Sequence, residues 1–345
     1  MAIDRVFNQP AEDDERYLTS LRPQRLAECI GQEQVREQLQ IAIEAAKGRR
    51  EPLDHVLLDG PPGLGKTTLA HILAHEMGAT MRQTSGPAIT RQGDLMMMLT
   101  QAETGDVLFI DEVHRLNKVV EEFLYPAMED FRVDYTTESG IGGRTVNFPL
   151  KRFTLVGATT RAGMLSAALH GRFGHIFHLR YYDEDELKRI VARNARLLEI
   201  EAQDAALARL ATRARGTPRI ANRLLRRVRD YAQVRGDGRL TPEIVDATMR
   251  ILQVDTFGLD GLDRDYLHAL IKHYDGGPAG IEAIAATMGH ERDTLEDVVE
   301  PYLLQIGFVI RTPRGRVARP KAYEHLKLPP PRRGAEDGPT LFDAG

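Results

Sequence analysis

The segment HVLLDGPPGLGKTTLA (55–70) joins a short apolar run to a glycine-rich loop and then to a helix-forming stretch. Its central residues, GPPGLGKT (60–67), match G-x-x-x-x-G-K-[ST], a pattern in which backbone N–H groups and a helix N-terminus surround phosphate oxygens. In this pattern Lys66 contacts the β- and γ-phosphates of a nucleotide, and Thr67 holds Mg²⁺. An ordinary glycine-rich turn is the alternative, but it requires neither the strand before the loop nor the helix after it. The segment therefore predicts a nucleotide-binding α/β domain.

Four further short apolar segments alternate with helix-like sequence in the first half of the chain. They are ATMRQTS (79–85), DVLFIDE (106–112), FTLVGATT (153–160) and HIFHL (175–179). This alternation predicts a mainly parallel sheet with helices on both faces.

The rest of the chain predicts two more domains. From about Asp183, apolar residues recur at three- and four-residue spacing in DEDELKRIVARNARLL and RIANRLLRRVRDYA, which indicates helices alone. Later, the helical RDTLEDVVEPYLLQIG runs into the extended FVIRTPRGRVARP, and a helix followed by strand, turn and strand outlines a winged-helix domain. The expected organisation is a flexible segment 1–20, an α/β domain 21–182 with a β-hairpin near 131–150, an all-helical domain 183–253, a winged-helix domain 254–326 and an unfolded tail 327–345.

Composition narrows the functional classes. The chain has 345 residues, is 42% hydrophobic and carries a formal net charge of −4, which argues against indiscriminate coating of polyanions. No apolar run approaches the ~20 residues needed to span a bilayer, so we expect a cytoplasmic protein without a membrane partner. The single cysteine, Cys29, can form neither an internal disulfide nor a metal cluster and is interpreted as an inert buried thiol.

In the segment VLFIDEVH (107–114), an apolar run ends in two acids. A strand that ends in acids places Asp111 and Glu112 at the carboxyl edge of the sheet, beside the phosphate loop. Asp111 would hold the metal through water, and Glu112 would orient and polarise an attacking water, so that hydrolysis proceeds by alignment and charge stabilisation. Two surface acids at a strand end are the alternative.

Two arginines are candidates for sensing phosphate charge. Arg172, in LHGRFG (169–174), is expected near the sheet edge that carries the nucleotide, where it could serve a neighbouring subunit or simply stack or pair at a surface. Arg219 falls in the first turn of the helix in GTPRIANRLLRRVRD (216–230), where it could sense the γ-phosphate. The other arginines of this helix are expected to form a solvated or subunit-contacting face: Arg223, Arg226, Arg227 and Arg229.

A basic cluster lies near the C-terminus. Between Arg311 and Arg333 there are eight Lys or Arg residues against one acid, Glu324. A turn bearing arginines would contact the DNA backbone without reading bases, and its binding would weaken steeply with salt. A solubilising tail is the alternative.

These motifs, in this order, resemble the AAA+ ATPases, and most closely the RuvB family of bacterial Holliday-junction motors. The resemblance spans about Leu21 to Tyr323. It is carried by RP…L…CIGQ (22–32), GPPGLGKTTLA, LFIDEVHRL, EEFLYPAMEDF, GATTRAG, ARGTPRIANRLLRRVRD and EPYLLQIGFVIRTPRGR.

The resemblance implies a fold, an activity and partners. The fold is an AAA+ P-loop domain followed by a helical lid and a winged-helix domain. The activity is ATP hydrolysis with Mg²⁺, coupled to translocation of double-stranded DNA by a hexameric ring that drives branch migration in recombination, DNA repair and the SOS response. The partners are RuvA, which docks on the β-hairpin, and RuvC in a resolvasome.

The resemblance also assigns site residues. The nucleotide contacts are Leu21, Arg22, Gly63, Gly65, Lys66, Thr67, Thr68, Glu129, Asp130, Phe131, Tyr182 and Pro218. The polar sensor falls on Thr159 or Thr160, Arg172 is the finger supplied in trans, and Arg219 is the second sensor. The DNA contacts are Arg292, Arg311 and Arg316.

The chain departs from the family pattern at two places. His170 and Gly171 stand where relatives usually have an arginine and an acid, which affects the expected salt bridges around Arg172. In the hairpin FRVDYTTESGIGGRTVNFPL (131–150), the tip SGIGG replaces the usual glycine, proline and alanine, so contact with RuvA through Ile141 is a hypothesis.

Two other AAA+ classes are alternatives to a motor. A clamp loader or replication initiator would assemble once per ATP cycle, but the zinc cluster of some clamp loaders is missing from the sequence. A protein unfoldase is disfavoured because SGPAITRQG lacks the aromatic residue of a pore loop. The terminal GPTLFDAG, with Leu341 and Phe342, loosely resembles peptides that dock on sliding clamps.

Overall fold

The computed structural model describes residues 17–136 and 145–329. These residues divide between residues 241 and 242 into two compact units, each of which is described by itself. None of the helices in these two ranges is both long and apolar enough to cross a membrane.

The first unit is built on a parallel sheet of five strands in the order β2-β3-β6-β1-β7. Its strands are β1 Val56–Asp59, β2 Met81–Ser85, β3 Val107–Asp111, β6 Thr154–Thr159 and β7 His175–His178. Each of the five apolar segments forms one of these strands, so the predicted sheet is confirmed. The central strands read as continuous apolar runs because both of their faces are buried.

Helices cover both faces of this sheet. Those of the first unit are α1 Glu33–Arg49, α2 Lys66–Met77, α3 Gln92–Thr100, α4 Lys118–Glu129, α5 Ala167–His170, α6 Glu184–Leu197, α7 Asp204–Thr212 and α8 Pro218–Arg235. Successive strand residues point to opposite faces, so Leu58 packs with α1 and α2 whereas Leu57 packs with α3 and α4. The sheet is therefore sandwiched between two apolar layers.

An antiparallel hairpin follows α4 directly. Strands β4 Arg132–Thr136 and β5 Thr145–Pro149 pair from Arg132 opposite Pro149 to Thr136 opposite Thr145. The hairpin predicted from the alternating sequence is thus present. Residue Ile141, at the proposed RuvA contact, lies outside the described residues.

The all-helical part of the first unit consists of α6, α7 and α8. Asp183 and Glu186 cap α6 reciprocally, each side chain accepting from the other's backbone N–H at 2.8 and 2.9 Å. The short α7 was not predicted from the sequence. The expectation of a solvated or subunit-contacting arginine face on α8 was wrong for Arg223, which is buried. The guanidinium groups of Arg226 and Arg229 lie 5.2 and 5.4 Å from the ring centroid of Tyr17.

The second unit has a winged-helix fold, as the sequence predicted. Its elements are α9 Pro242–Ile251, α10 Gly261–His273, α11 Ile281–Met288, α12 Arg292–Thr294, α13 Glu300–Gln305, β8 Val309–Thr312, β9 Gly315–Ala318 and α14 Pro320–Leu326. A π-helical turn, Leu295–Val299, joins α12 to α13, and this change of hydrogen-bond pattern precedes Pro301, which has no backbone N–H to donate. The seven-residue α14 was not predicted.

Candidate functional site

The glycine-rich loop connects β1 to α2 at the carboxyl edge of the sheet. Gly63 and Gly65 have φ angles of 82° and 98°, in the left-handed region that glycine adopts without steric cost. Lys66 is the first residue of α2 and is only 7% exposed. Its ammonium donates to the carbonyl oxygens of Gly60 at 2.5 Å and Pro61 at 2.8 Å. The loop therefore folds around the lysine that the motif assigns to phosphate.

Charged groups from three parts of the unit act on Lys66. Burial lowers the pKa of its ammonium to about 8, while Asp111 and Asp59 oppose the shift and Arg219 adds to it. Ionisable groups with perturbed pKa values in one cleft are typical of functional sites. The sequence-predicted Lys66, Asp111, Glu112 and Arg219 are thus close enough to interact electrostatically.

The two acids lie on a tight turn after β3. Asp111 accepts a hydrogen bond from the backbone N–H of Glu112 at 2.9 Å. Glu112 has φ 49° and ψ 44°, a conformation that non-glycine residues rarely adopt and that concentrates at functional sites. Its carboxylate pairs with the Nη1 of Arg115 at 3.0 Å. A Cβ at Gly86, after β2, would overlap the Glu112 carbonyl oxygen, so the two turns are in close contact.

The structure distinguishes the two candidate sensor threonines. Thr159, the last residue of β6, is fully buried; its hydroxyl contacts Nδ1 of His114 at 3.0 Å and accepts from the backbone N–H of Arg161 at 3.0 Å. Thr160 comes after the strand and is partly exposed. The contact between His114 and Thr159 joins the acidic turn to the end of β6, and sequence reasoning missed it.

The helical lid contacts the phosphate loop. The backbone N–H of Arg219, at the start of α8, lies 3.4 Å from the Gly63 carbonyl, and the Tyr182 hydroxyl lies 3.4 Å from the Leu64 carbonyl. Burial raises the pKa of Tyr182, so its hydroxyl stays protonated. Pro218 occupies the first turn of the same helix. Arg219 and Tyr182 therefore close one side of the loop.

The N-terminal part of the described chain forms another wall of this cleft. Leu21 is buried, and its carbonyl accepts from Nη1 of Arg193, on α6, at 3.0 Å. Arg22 lies near His71 of α2, whose pKa is lowered by burial and then by Arg22. The two predicted adenine contacts therefore lie between the lid and the helix that follows the phosphate loop.

Arg172 lies at the opposite edge of the sheet, and its expected position was wrong. It precedes β7 by three residues, and the next turn runs beside His55, just before β1, because the His175 N–H donates to the His55 carbonyl at 3.1 Å. Its guanidinium lies 3.1 Å from the Glu129 carboxylate and 4.2 Å from the ring centroid of Tyr125. Its acidic partner is thus on α4, not at residue 171.

Glu129, Asp130 and Phe131 share this amino edge. The Phe131 ring lies 6.1 Å from that of His55 and 5.7 Å from that of Phe153, which precede β1 and β6. The four residues of β1 separate this edge from the phosphate loop by about 13 Å. These predicted nucleotide contacts therefore do not converge with Lys66 of the same chain.

The three predicted DNA-contacting arginines form ion pairs in the second unit. Arg311 and Arg316 both contact Glu300, at 2.6 and 2.7 Å, and Arg292 contacts Glu282 and Glu296, at 3.1 and 3.3 Å. The count of basic residues in the sequence omitted these acids because they precede the basic segment. Arg314, Arg319, Lys321 and Lys327 are exposed.

Cys29 is half-buried, and burial raises the pKa of its thiol to about 11, which agrees with an inert thiol. Within residues 17–136 and 145–329, no group of three or more His, Cys, Asp or Glu side chains could hold a metal ion by itself.

Family models match three consecutive parts of the chain. The model of the Holliday junction DNA helicase RuvB P-loop domain matches residues 21–179, that of the RuvB AAA lid domain matches 182–255, and that of the RuvB C-terminal winged helix domain matches 256–327. The chain belongs to the RuvB family.

Solved structures of RuvB proteins are also similar. The Thermotoga maritima RuvB Holliday junction branch migration motor is 54% identical over 90% of this chain and 100% of that chain, with a TM-score of 0.83. An alanine-to-serine variant of T. maritima RuvB is 54% identical over 90% of this chain and 99% of that chain, with a TM-score of 0.84. As a RuvB-family member, the chain is a nucleotide-binding AAA+ ATPase with a winged-helix domain, in a family of branch-migration motors.

Proposed function

We propose that this protein is an ATP-driven DNA motor that, as a hexameric ring with RuvA, drives branch migration of Holliday junctions in recombination, DNA repair and the SOS response. One observation carries the proposal: Lys66, Asp111, Glu112 and Arg219 converge at one edge of the sheet, while Arg172 lies at the other. Each subunit would thus carry the residues of one phosphate site and one arginine directed away from that site. The similarity to the T. maritima motor supports this reading.

The residues at the carboxyl edge fit ATP and Mg²⁺. Lys66 is a buried ammonium held by two carbonyl oxygens, and such a charge is better satisfied by phosphate oxygens. Thr67 and Asp111 would hold Mg²⁺, which neutralises phosphate charge when bound. Gly63, Gly65 and Thr68 would surround the phosphates, and Leu21, Arg22, Tyr182 and Pro218 would hold the nucleoside.

Three side chains would respond to the γ-phosphate. Glu112 would leave Arg115 and orient the attacking water. Thr160 is the better candidate for the polar sensor, because the hydroxyl of Thr159 is already engaged inside the protein. Arg219 would sense the phosphate from the lid, so that hydrolysis changes how the lid lies on the loop.

Arg172 would act on the nucleotide of a neighbouring subunit. Glu129, Asp130 and Phe131, at the same edge, would border that neighbour's nucleotide as well. About 13 Å of strand separates them from their own phosphate loop, which favours action in trans. This arrangement links hydrolysis to ring assembly.

The other predicted interfaces follow from the same proposal. The winged-helix domain, proposed as residues 254–326, would contact double-stranded DNA through Arg292, Arg311 and Arg316, and the hairpin near 131–150 would dock on RuvA. The lid is proposed as residues 183–253 and the AAA+ domain as 21–182. RuvC would join in a resolvasome, and the location would be the cytoplasm.

A synthetic four-way junction tests the proposal. ATP hydrolysis and strand separation are measured with and without RuvA, and we expect RuvA to stimulate both. ATP consumption without any movement of the crossover, even with RuvA, would favour a switch over a motor. In the matched variant lacking residues 136–144, we expect ATPase without RuvA to persist and stimulation by RuvA to disappear; unchanged RuvA binding would refute the hairpin contact.

A further inference from the structure

A buried carboxylate lies behind the wing of the second unit. Glu300, the first residue of α13, has no exposed surface. An isolated charge in this environment would be strongly unfavourable, so the hydrogen-bond partners of Glu300 determine whether it is ionised.

Three side chains from three elements donate to Glu300. The Tyr266 hydroxyl, from α10, donates at 2.7 Å. Arg311, on β8, donates through Nε at 2.9 Å and Nη2 at 2.6 Å. Arg316, on β9, donates through Nε at 2.7 Å and Nη2 at 3.2 Å. The carboxylate thus connects the fully buried Tyr266 to both strands of the wing.

The ion pairs with Glu300 compensate a charge repulsion between the strands β8 and β9. Arg311 and Arg316 are directly opposite each other in the β8–β9 register, and like charges in this position repel. Glu300 lies between the two guanidinium groups and compensates that repulsion. Burial opposes ionisation of Glu300, but hydrogen bonds from Arg316, Tyr266 and Arg311 outweigh it and hold its pKa below the ordinary value. The carboxylate is therefore charged at neutral pH.

The same contacts orient the arginines. Both guanidinium groups meet Glu300 through Nε and Nη2, so the Nη1 side of each points away from Glu300, and Nη2 of Arg316 also contacts Glu296 at 3.4 Å. The Arg311 side chain is 45% exposed, whereas that of Arg316 is 15% exposed. A guanidinium held by a carboxylate on one edge can present its other edge to a phosphate, which a lysine cannot do.

We propose that Glu300 is the positioning residue of the wing, fixing Arg311 so that the outer edge of its guanidinium meets a DNA phosphate. This inference rests on the proposed DNA contact. It makes a counterintuitive prediction, because removing a negative charge from a DNA-binding surface should strengthen binding if the charge has no other role. Removal of Glu300 should instead weaken it.

Binding of the full-length protein to fluorescent duplex DNA is measured by anisotropy at several salt concentrations. For Glu300→Gln we expect affinity at least about tenfold weaker. The matched control Glu291→Gln removes an exposed carboxylate at the start of the same helical segment, and its binding should be unchanged or slightly tighter. Melting temperature and DNA-independent ATPase show whether each variant is folded.

Variants of the exposed Arg311 provide a second test that does not require the substitution of a buried residue. Arg311→Ala should weaken binding and reduce the slope of log affinity against log salt by about 1. Arg311→Lys keeps the charge but not the two-edged geometry, and should bind as weakly as Arg311→Ala. If Glu300→Gln fails to fold, this comparison decides the question.

These measurements distinguish the DNA contact of Arg311 from the positioning role of Glu300. Binding by Arg311→Ala that equals wild type would overturn the DNA contact itself. Weak binding by Arg311→Ala with full binding by Arg311→Lys would overturn only the positioning role, as would folded Glu300→Gln that binds as tightly as Glu291→Gln.

Discussion

Arg172 and Glu129 form an ion pair, with Nη2 and Oε1 3.1 Å apart, at the edge of the sheet opposite Lys66. The Tyr125 ring supports the guanidinium at 4.2 Å. The side chain of Arg172 is therefore held away from the phosphate loop of its own chain. An arginine that acts on a neighbouring subunit requires such a position.

Arg172→Ala should assemble and bind ATP normally but hydrolyse it about 10³-fold more slowly, because the transition-state charge loses a partner. Mixing it with Lys66→Ala subunits, which should bind no nucleotide, is expected to restore some turnover. The rescued rate is measured by steady-state ATPase against the mixing ratio. If the ATPase rate of every mixture equals the sum of the rates of the two separate variants, Arg172 acts in cis.

Glu112→Gln should retain nucleotide binding and lose turnover by about 10²- to 10⁴-fold, the range for a group that activates water. Binding is measured by calorimetry and hydrolysis by phosphate release. Arg115→Ala is the matched control, because it removes the present partner of Glu112 but leaves the carboxylate. Wild-type turnover in Glu112→Gln would exclude the water-orienting role.

The two threonines should respond differently to removal of the hydroxyl. Thr160→Val is expected to slow hydrolysis at an unchanged melting temperature. Thr159→Val leaves the half-buried N–H of Arg161 without this acceptor and should lower the free energy of unfolding by about 1 kcal/mol. Denaturant unfolding and ATPase assays on both variants test these expectations. If Thr159→Val slows hydrolysis at unchanged stability and Thr160→Val does not, Thr159 is the sensor.

Nucleotide binding should weaken above about pH 8. Burial lowers the pKa of Lys66 to about 8 in the free protein, so its ammonium is mostly neutral at higher pH. Phosphates favour the charged form, so binding there requires uptake of a proton, and affinity falls by at most about tenfold per pH unit. Below pH 8 the lysine is already charged and uptake disappears. Calorimetry in buffers of different ionisation enthalpy measures the uptake, and equal affinity at about pH 7 and pH 9 would contradict the prediction.

Local patterns predicted much of this molecule. The apolar segments gave all five strands, and the loop at 60–67 gave the position of Lys66, because a strand, a turn and a helix in sequence place their junction at the carboxyl edge. The winged-helix outline followed from a helix and two short strands. Short helices such as Asp204–Thr212 were missed because a few apolar residues define no clear period.

Long-range pairs could not be predicted in this way. The chain from β6 to β7 returns from the carboxyl edge to the amino edge, and sequence position alone placed Arg172 at the wrong one of the two; its nearness to His175 shows that it lies at the amino edge. Glu300 looked like one of several acids on a helix, and only folding places it against Arg311 and Arg316. The count of basic residues between 311 and 333 was therefore correct, but it left out Glu300, which neutralises part of their charge in the folded domain.

The close approach between Gly86 and the Glu112 carbonyl has a consequence for sequence variation. A side chain at residue 86 could be accommodated only if the backbone of Glu112 were displaced. Residue 86, which bears no charged group, is thereby constrained by the turn that follows a neighbouring strand, and a substitution there would be tolerated only together with compensating changes after β3.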